Sequence, residues 1–183
     1  GVFRRQRQMC IRDSSDAVLF GAVGDPKYDN DPTAKIRPEE GLLRMRKKLG
    51  LYANIRPTYT FDSLLEKSPI KKSIIQGTDL VFVRELTGGI YFGKRGRNKT
   101  DDYAYDTCEY NVNEIKRLAK IGFELAMKRS KKLCCIDKAN VLETSRLWRQ
   151  TVQSLEKNYP EVNVSYEFVD AVAMRLILSL IHI

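Results

Sequence analysis

Short apolar runs alternate with longer stretches of helical period through most of this chain, and that alternation limits the fold more than any other feature. Leu80–Val83 is a buried-type strand of four apolar residues, and "KLCCI" and "VNVSYEFV" repeat the pattern. Between them, "NVNEIKRLAKIGFELAMKRSKK" places Ile115, Leu118, Gly122, Leu125 and Ala126 near one helical face. A second helix runs through Leu147, Trp148, Val152 and Leu155, and "DAVAMRLI" starts a third. Strands alternating with helices in this way predict an α/β fold, a largely parallel or mixed sheet flanked by helices. Upstream, "AVLFGAVG" reads as a strand entering a glycine-bearing loop. A helix is predicted over Pro38–Leu49, with Pro38 in its first turn and Gly50 just past its end. "SPIKKSIIQG" repeats the device with Pro69 and Gly77, and "IYFGKRGRNKTDDYAYDTCEY" reads as a β-ribbon or extended arm.

Composition then removes whole classes of function. The chain has 183 residues, 43% hydrophobic and 30% charged, which suits a globular domain with a real core. No apolar run approaches the ~20 residues of a membrane helix, so no membrane association is expected. The formal charge is +9, of which Arg4, Arg5, Arg7 and Arg12 against Asp13 supply +3. The remaining bias suits an anionic small molecule or a nucleic acid. Cys10, Cys108, Cys134 and Cys135 form no C-x-x-C pair, which favours a reducing, cytoplasmic home over a disulfide framework or zinc site. His182 is the one histidine, so acid–base chemistry here rests on Lys, Tyr, Asp or Glu. The ends "GVFRRQRQMCIRDSS" (1–15) and the apolar scrap at 178–183 look like translated sequencing-adapter read-through and are set aside as non-native tails.

Several residues break their local pattern. Arg46 shares a helical stripe with Leu42, Met45 and Leu49, where a guanidinium needs an acidic partner or a ligand unless it snorkels from the stripe's edge. Arg56 is held extended by the following Pro57. Arg84 ends a buried strand, the place where open α/β sheets bind ligands, although an internal ion pair with the adjacent Glu85 or another acid would also account for it. Three arginines so placed make a clamp for carboxylates. Tyr91 follows a double-glycine turn that needs glycine's backbone freedom, a place where core or interface tyrosines also occur. Lys138 and Asp170 sit at two more strand-to-helix junctions, where Asp137, Asn140 or Asp170 could equally act as helix caps.

The segments "EEGLLRMRKKLGLYANIRP", "VRELTGGIYFG", "DKANVL", "LWR" and "YEFVDAVAM", in this order and spacing, resemble the isopropylmalate dehydrogenase branch of the isocitrate/isopropylmalate dehydrogenases. The likeness runs from about Asp16 to Ile177. It implies an NAD-dependent oxidative decarboxylase of leucine biosynthesis that uses Mg²⁺ or Mn²⁺ and works as a homodimer with shared active sites. By this resemblance Arg46, Arg56 and Arg84 grip the substrate carboxylates, and Leu42 and Leu43 face the isopropyl group of 3-isopropylmalate. Lys138 takes the hydroxyl proton, Tyr91 protonates the enol, and Asp170 is a metal ligand that also faces the substrate. Asp25, Pro26, Lys27, Tyr28 and Glu39 belong to the nicotinamide-side cofactor segment. The resemblance also implies a truncated two-domain subunit. Residues 16–53 would belong to the cofactor-side large domain and 54–177 to the substrate and dimerisation domain, with the arm Ile90–Tyr110 at the dimer contact. The family's opening glycine loop, its further metal aspartates and its adenosine-binding loop are missing, so the stretch alone is expected to be inactive.

Two rival readings stand beside this one. A tartrate, homoisocitrate or isocitrate dehydrogenase would share the site, but the isocitrate enzymes carry a more polar, serine-bearing stretch where Leu42 and Leu43 lie. A nucleic-acid module would use Lys94, Arg95, Arg97 and Lys99 with nearby tyrosines. Against it, Asp101 and Asp102 follow at once and no nucleic-acid fold signature is present.

Overall fold

The computed structural model describes residues 15–29 and 38–178. The tail residues 1–14 and 179–183, and 30–37 of the polar loop, lie outside the described residues. The chain divides into two compact units, Gly1–Met45 and Arg46–Ile183.

In the first unit, α1 (Pro26–Asp29) is a single turn that opens on proline, whose missing N–H costs nothing at a helix start. Helix α2 (Pro38–Lys48) begins here and ends in the second unit. It has Glu39 and Glu40 in its first turn and Arg46, Lys47 and Lys48 in its last, the arrangement that a helix dipole favours. The strand predicted at "AVLFGAVG" does not form: residues 17–24 are irregular, join no strand ladder and are exposed. A strand needs a neighbour for its N–H and C=O groups, and no described residue provides one.

In the second unit, β1 (Ala53–Tyr59) and β2 (Asp79–Glu85) form an antiparallel ribbon along their full length. Leu80–Val83 is half-buried rather than fully buried, because one face of the ribbon is open. The helix expected over "SPIKKSIIQG" shrinks to α3 (Lys72–Ile75). Ser68 Oγ takes the Ile70 N–H in a local turn, and Gly77 at φ +76° ends the segment. The arm contains a short hairpin, β3 (Arg95–Arg97) against β4 (Ala104–Asp106). Its basic tip is closed by an Arg97–Asp101 ion pair of 3.0 Å.

Helix α4 (Val112–Met127) starts at a capping box, in which Asn111 accepts from Asn113 N and Glu114 N while Glu114 reaches back to Asn111 N. After it come β5 (Lys132–Asp137), α5 (Glu143–Glu156), β6 (Asn163–Phe168) and α6 (Val169–Leu178). Strands β5 and β6 are parallel, as their helical crossover requires. The core gathers Ile115, Phe123, Cys135, Val152 and Leu155, and Phe123 stacks on Tyr159 with centroids 4.6 Å apart. Burying a side chain like Phe123 contributes about 2–3 kcal/mol.

The strands do not join into one sheet. Among the described residues they form three separate pairs, of which only β5–β6 is parallel. A cavity of about 380 Å³ lies between β2 and β5, lined by Val81, Phe82, Leu133 and Cys134, with Leu118 and Gly122 of α4 beneath. No ladder hydrogen bond crosses it.

Candidate active site

The register of the first ribbon decides where the predicted arginines go. Asn54 faces Arg84 and Arg56 faces Phe82 across the ladder, so all four residues share one side of the ribbon. Arg56 and Arg84 are therefore diagonal neighbours, roughly 7–8 Å apart by sheet geometry. Both are exposed, and neither makes an ion pair with a described residue. The ion pair of Arg84 with Glu85 does not occur, because alternation sends Glu85 to the opposite, buried face. Tyr91, in a 3-10 turn over Gly89–Tyr91, joins this group: Arg84 Cζ stands 5.7 Å from the centre of its ring. That is within the range of a cation–π contact. Arg46 is half-buried in the last turn of α2 with no acidic partner among the described residues, and its carbonyl accepts the Leu51 N–H at 2.9 Å. No hydrogen bond, ion pair or ring contact among the described residues links its side chain to the ribbon group.

Lys138 and Asp170 form a second group. Asp137 pairs with Phe168 in the β5–β6 register, so the residues that follow leave the same end of two parallel strands. Lys138 Nζ donates to Asp170 Oδ1 at 2.5 Å. That bond holds the Asp170 carboxyl below the usual carboxylate range. Asp170 is 62% exposed, so it remains a reachable hard-oxygen donor. Neither Asp137 nor Asn140 caps the next helix. The N-cap of α5 is Leu142 with no side-chain bond, and Asp137 is held instead by Arg149, Nε to Oδ2 at 2.8 Å and Nη2 to Oδ1 at 2.9 Å.

In the first unit, Leu42 and Leu43 are half-buried neighbours on α2. The Tyr28 N–H donates to the Asp25 carbonyl, closing the turn that begins at Pro26. Glu39 lies near this loop, since a Cβ added at Gly24 would stand 3.7 Å from Glu39 Oε1. The side chain of Lys27 lies outside what is described.

The structure adds residues that the sequence reading passed over. Glu85 accepts from Thr87 N at 2.7 Å, Thr87 Oγ1 at 2.8 Å, Gly88 N at 2.5 Å and Arg117 Nη2 at 3.1 Å. Strand alternation puts Glu85 on the face opposite Arg84, and the structure shows that this face is the buried one. Its partner Arg117 lies on another element, and nothing local in the sequence announces it.

Helices and strands of this α/β scaffold carry these groups, and the chain belongs to the isocitrate/isopropylmalate dehydrogenase family, whose model matches residues 6–180. Its curated relatives carry a more particular name. It is 58% identical over 164 residues to a 3-isopropylmalate dehydrogenase of Bacteroides fragilis, a match covering 90% of this chain and 46% of the relative. It is 56% identical over 167 residues to a protein of the same name from Clostridium acetobutylicum, covering 90% and 46%. The chain thus spans about half the length of the curated relatives it matches. Among solved structures, isocitrate dehydrogenase from Methylococcus capsulatus superposes with a TM-score of 0.67 at 28% identity, covering 75% of this chain and 40% of that one. The TT0538 protein of Thermus thermophilus shares the fold, with a TM-score of 0.69 at 22% identity over 81% of this chain and 29% of that one.

Proposed function

We propose that the protein containing this chain oxidises and decarboxylates 3-isopropylmalate to 4-methyl-2-oxopentanoate with NAD, in leucine biosynthesis. The observation that carries this reading is the shared face of Arg56 and Arg84, two guanidiniums without acidic partners among the described residues, with Arg84 against the Tyr91 ring. Unpaired, neighbouring guanidiniums repel one another, and a dicarboxylate relieves this by bidentate hydrogen bonds. Arg46 completes the clamp in this reading, and Leu42 and Leu43 receive the aliphatic tail.

The chemistry divides among the chain's own groups. Lys138 removes the proton from the substrate hydroxyl. After the carboxylate is lost as CO₂, Tyr91 delivers a proton to the enol carbon, completing the ketone. Asp170 fits a hard divalent cation as one oxygen ligand, although the described residues hold no cluster of three metal donors. Asp170 would be one ligand of a bound Mg²⁺ or Mn²⁺, which would supply Lewis acidity to the reaction, and bound NAD would serve as the hydride acceptor. The turn around Asp25, Pro26 and Tyr28, with Lys27 and Glu39, is the segment we assign to the nicotinamide side. Residues 16–53 then serve the cofactor side and 54–177 the substrate side.

The two groups of site residues suit a homodimer in which Lys138 and Asp170 complete the partner's ribbon site. Exposed Tyr103 and Tyr105 on the arm, and exposed Met174, Ile177 and Leu178 on α6, supply apolar surface for such a contact. No helix among the described residues is long and apolar enough to cross a membrane. The free cysteines Cys108, Cys134 and Cys135 fit a reducing, cytoplasmic compartment. Arg97, the centre of the basic tip, already pairs with Asp101, which favours the small-molecule reading over nucleic acid.

The test is NADH formation by the complete protein with 3-isopropylmalate, isocitrate, homoisocitrate and tartrate. We expect kcat/KM for 3-isopropylmalate to exceed each other value by at least about tenfold, the worth of a few methylene contacts. Preference for any other acid overturns the assignment of Leu42 and Leu43, and activity with none overturns the reaction.

A further inference from the structure

We infer that Glu85 is the positioning residue for Tyr91, acting through the Thr87-Gly88-Gly89 turn. This rests on the reading of Tyr91 as the proton donor. The Glu85 side chain is only 2% exposed, and burying a carboxylate is unfavourable unless donors surround it. Here four donors do so. Two are the backbone N–H groups of Thr87 and Gly88, one is the Thr87 hydroxyl, and one is the Arg117 guanidinium. Arg117 in turn donates to Thr87 Oγ1 at 2.6 Å and lies 4.5 Å over the Tyr52 ring.

The other side of the turn is closed as tightly. Gly89 has φ +74°, and a Cβ there would overlap the Tyr110 hydroxyl. A Cβ on Gly88 would stand 2.9 Å from the Tyr110 ring. Tyr110 is itself fixed edge-on against Trp148 at 5.2 Å. The turn is therefore gripped between an anion and an aromatic ring, and the 3-10 turn that carries Tyr91 begins at its last glycine. The grip is not optimised for stability. Arg117 Nε is buried without a hydrogen-bond partner, and an apolar residue at position 85 would avoid the desolvation of a carboxylate. What the carboxylate adds is direction: it converts flexible glycine backbone into one conformation and so sets the phenol beside Arg84.

The experiment uses the complete enzyme and the pair Thr87→Val and Thr87→Ser, which leave Glu85 and Arg117 paired. Besides turnover, the readout is deuterium exchange at C3 of 4-methyl-2-oxopentanoate in D₂O with Mg²⁺. In that exchange the C3–H bond breaks, its proton passes to the Tyr91 phenolate left by protonating the enol, its electron pair forms the C2=C3 bond, and the C2=O π pair moves onto that oxygen as the enolate. The reverse step returns a deuteron. We expect Thr87→Val to lower kcat and exchange about tenfold to a hundredfold, with KM within about twofold, and Thr87→Ser to restore both. In a Tyr91→Phe background Thr87→Val should change nothing further, because its effect passes through the phenol. Unchanged exchange in Thr87→Val overturns the inference. So does an equal loss in the Tyr91→Phe background, which would mark a merely structural role. A wild-type enzyme that neither oxidises 3-isopropylmalate nor exchanges the C3 proton overturns the proposed function itself, and the inference with it.

Discussion

The ends of β2 and β5 are built from the same parts and use them differently. β2 closes on exposed Arg84 and buried Glu85, and β5 closes on buried Asp137 with half-buried Lys138 next in the chain. Each carboxylate is 2% exposed and is met by an arginine from a helix, Arg117 of α4 or Arg149 of α5. At β5 the arginine binds both oxygens and lies over Tyr166 and Phe168, at 5.4 and 5.2 Å, leaving one oxygen to take the Ala139 N–H. At β2 the arginine makes a single bond to the carboxylate, and most of its acceptor capacity goes to the turn. The comparison teaches that a buried carboxylate beside a reactive side chain can serve either to tie a helix to a strand or to shape a loop. The distribution of donors tells which.

Substitutions can break this contrast. Arg149→Ala leaves Asp137 buried and unpaired, and urea denaturation of the complete protein should show a loss of about 3–5 kcal/mol. Arg117→Ala should cost less, about 1–3 kcal/mol, because three donors stay on Glu85 and the arginine is already 38% exposed. Equal losses would erase the distinction. Next in size, Arg84→Lys should raise KM for 3-isopropylmalate about tenfold, since an ammonium cannot make the bidentate carboxylate contact. Arg149→Lys should leave KM unchanged, which steady-state kinetics can check.

The β5 end also predicts an alkaline weakness. Burial, with the Asp137 charge nearby, pushes the Cys135 thiol up to about 12. Above pH ~9 the unfolded chain ionises this thiol while the folded chain keeps its proton, so stability falls as pH rises, by at most about 1.4 kcal/mol per pH unit. Cys135→Ala should flatten that slope between pH 9 and 12 in pH-dependent unfolding. The smallest effect is on the acid side. The Asp170 carboxyl is depressed by its bond from Lys138, so the pair's contribution is present above the ordinary carboxylate pKa. It should fade as pH drops through the lowered value, and because the group is exposed, Lys138→Met should change acid unfolding only slightly.

Much of this was legible in the sequence because it is local. The Asn111 and Glu114 spacing marks the start of α4, and period-2 alternation puts Arg84 and Glu85 on opposite faces, although it does not say which is buried. The strand-end positions of Lys138 and Asp170 follow from the apolar runs before them. What escaped is non-local. Arg117 meets Glu85 from 32 residues away, and no spacing rule picks it from the other basic residues of α4. "AVLFGAVG" carries strand propensity, yet propensity supplies no pairing partner, and residues 17–24 stay unpaired. The continuous sheet failed for a similar reason: composition predicts strands, while neighbours decide ladders.

The hollow between β2 and β5 makes α4 a lever. With no ladder bonds spanning that space, the helix is the rigid body that touches both strands. Arg117 on it steers the phenol's turn, while Gly122 lets it rest close enough to β5 that an added methyl would reach Leu133 Cδ1 at 3.4 Å. Because one rod packs against both strands, a substitution that reseats it is expected to shift the ends of β2 and β5 together.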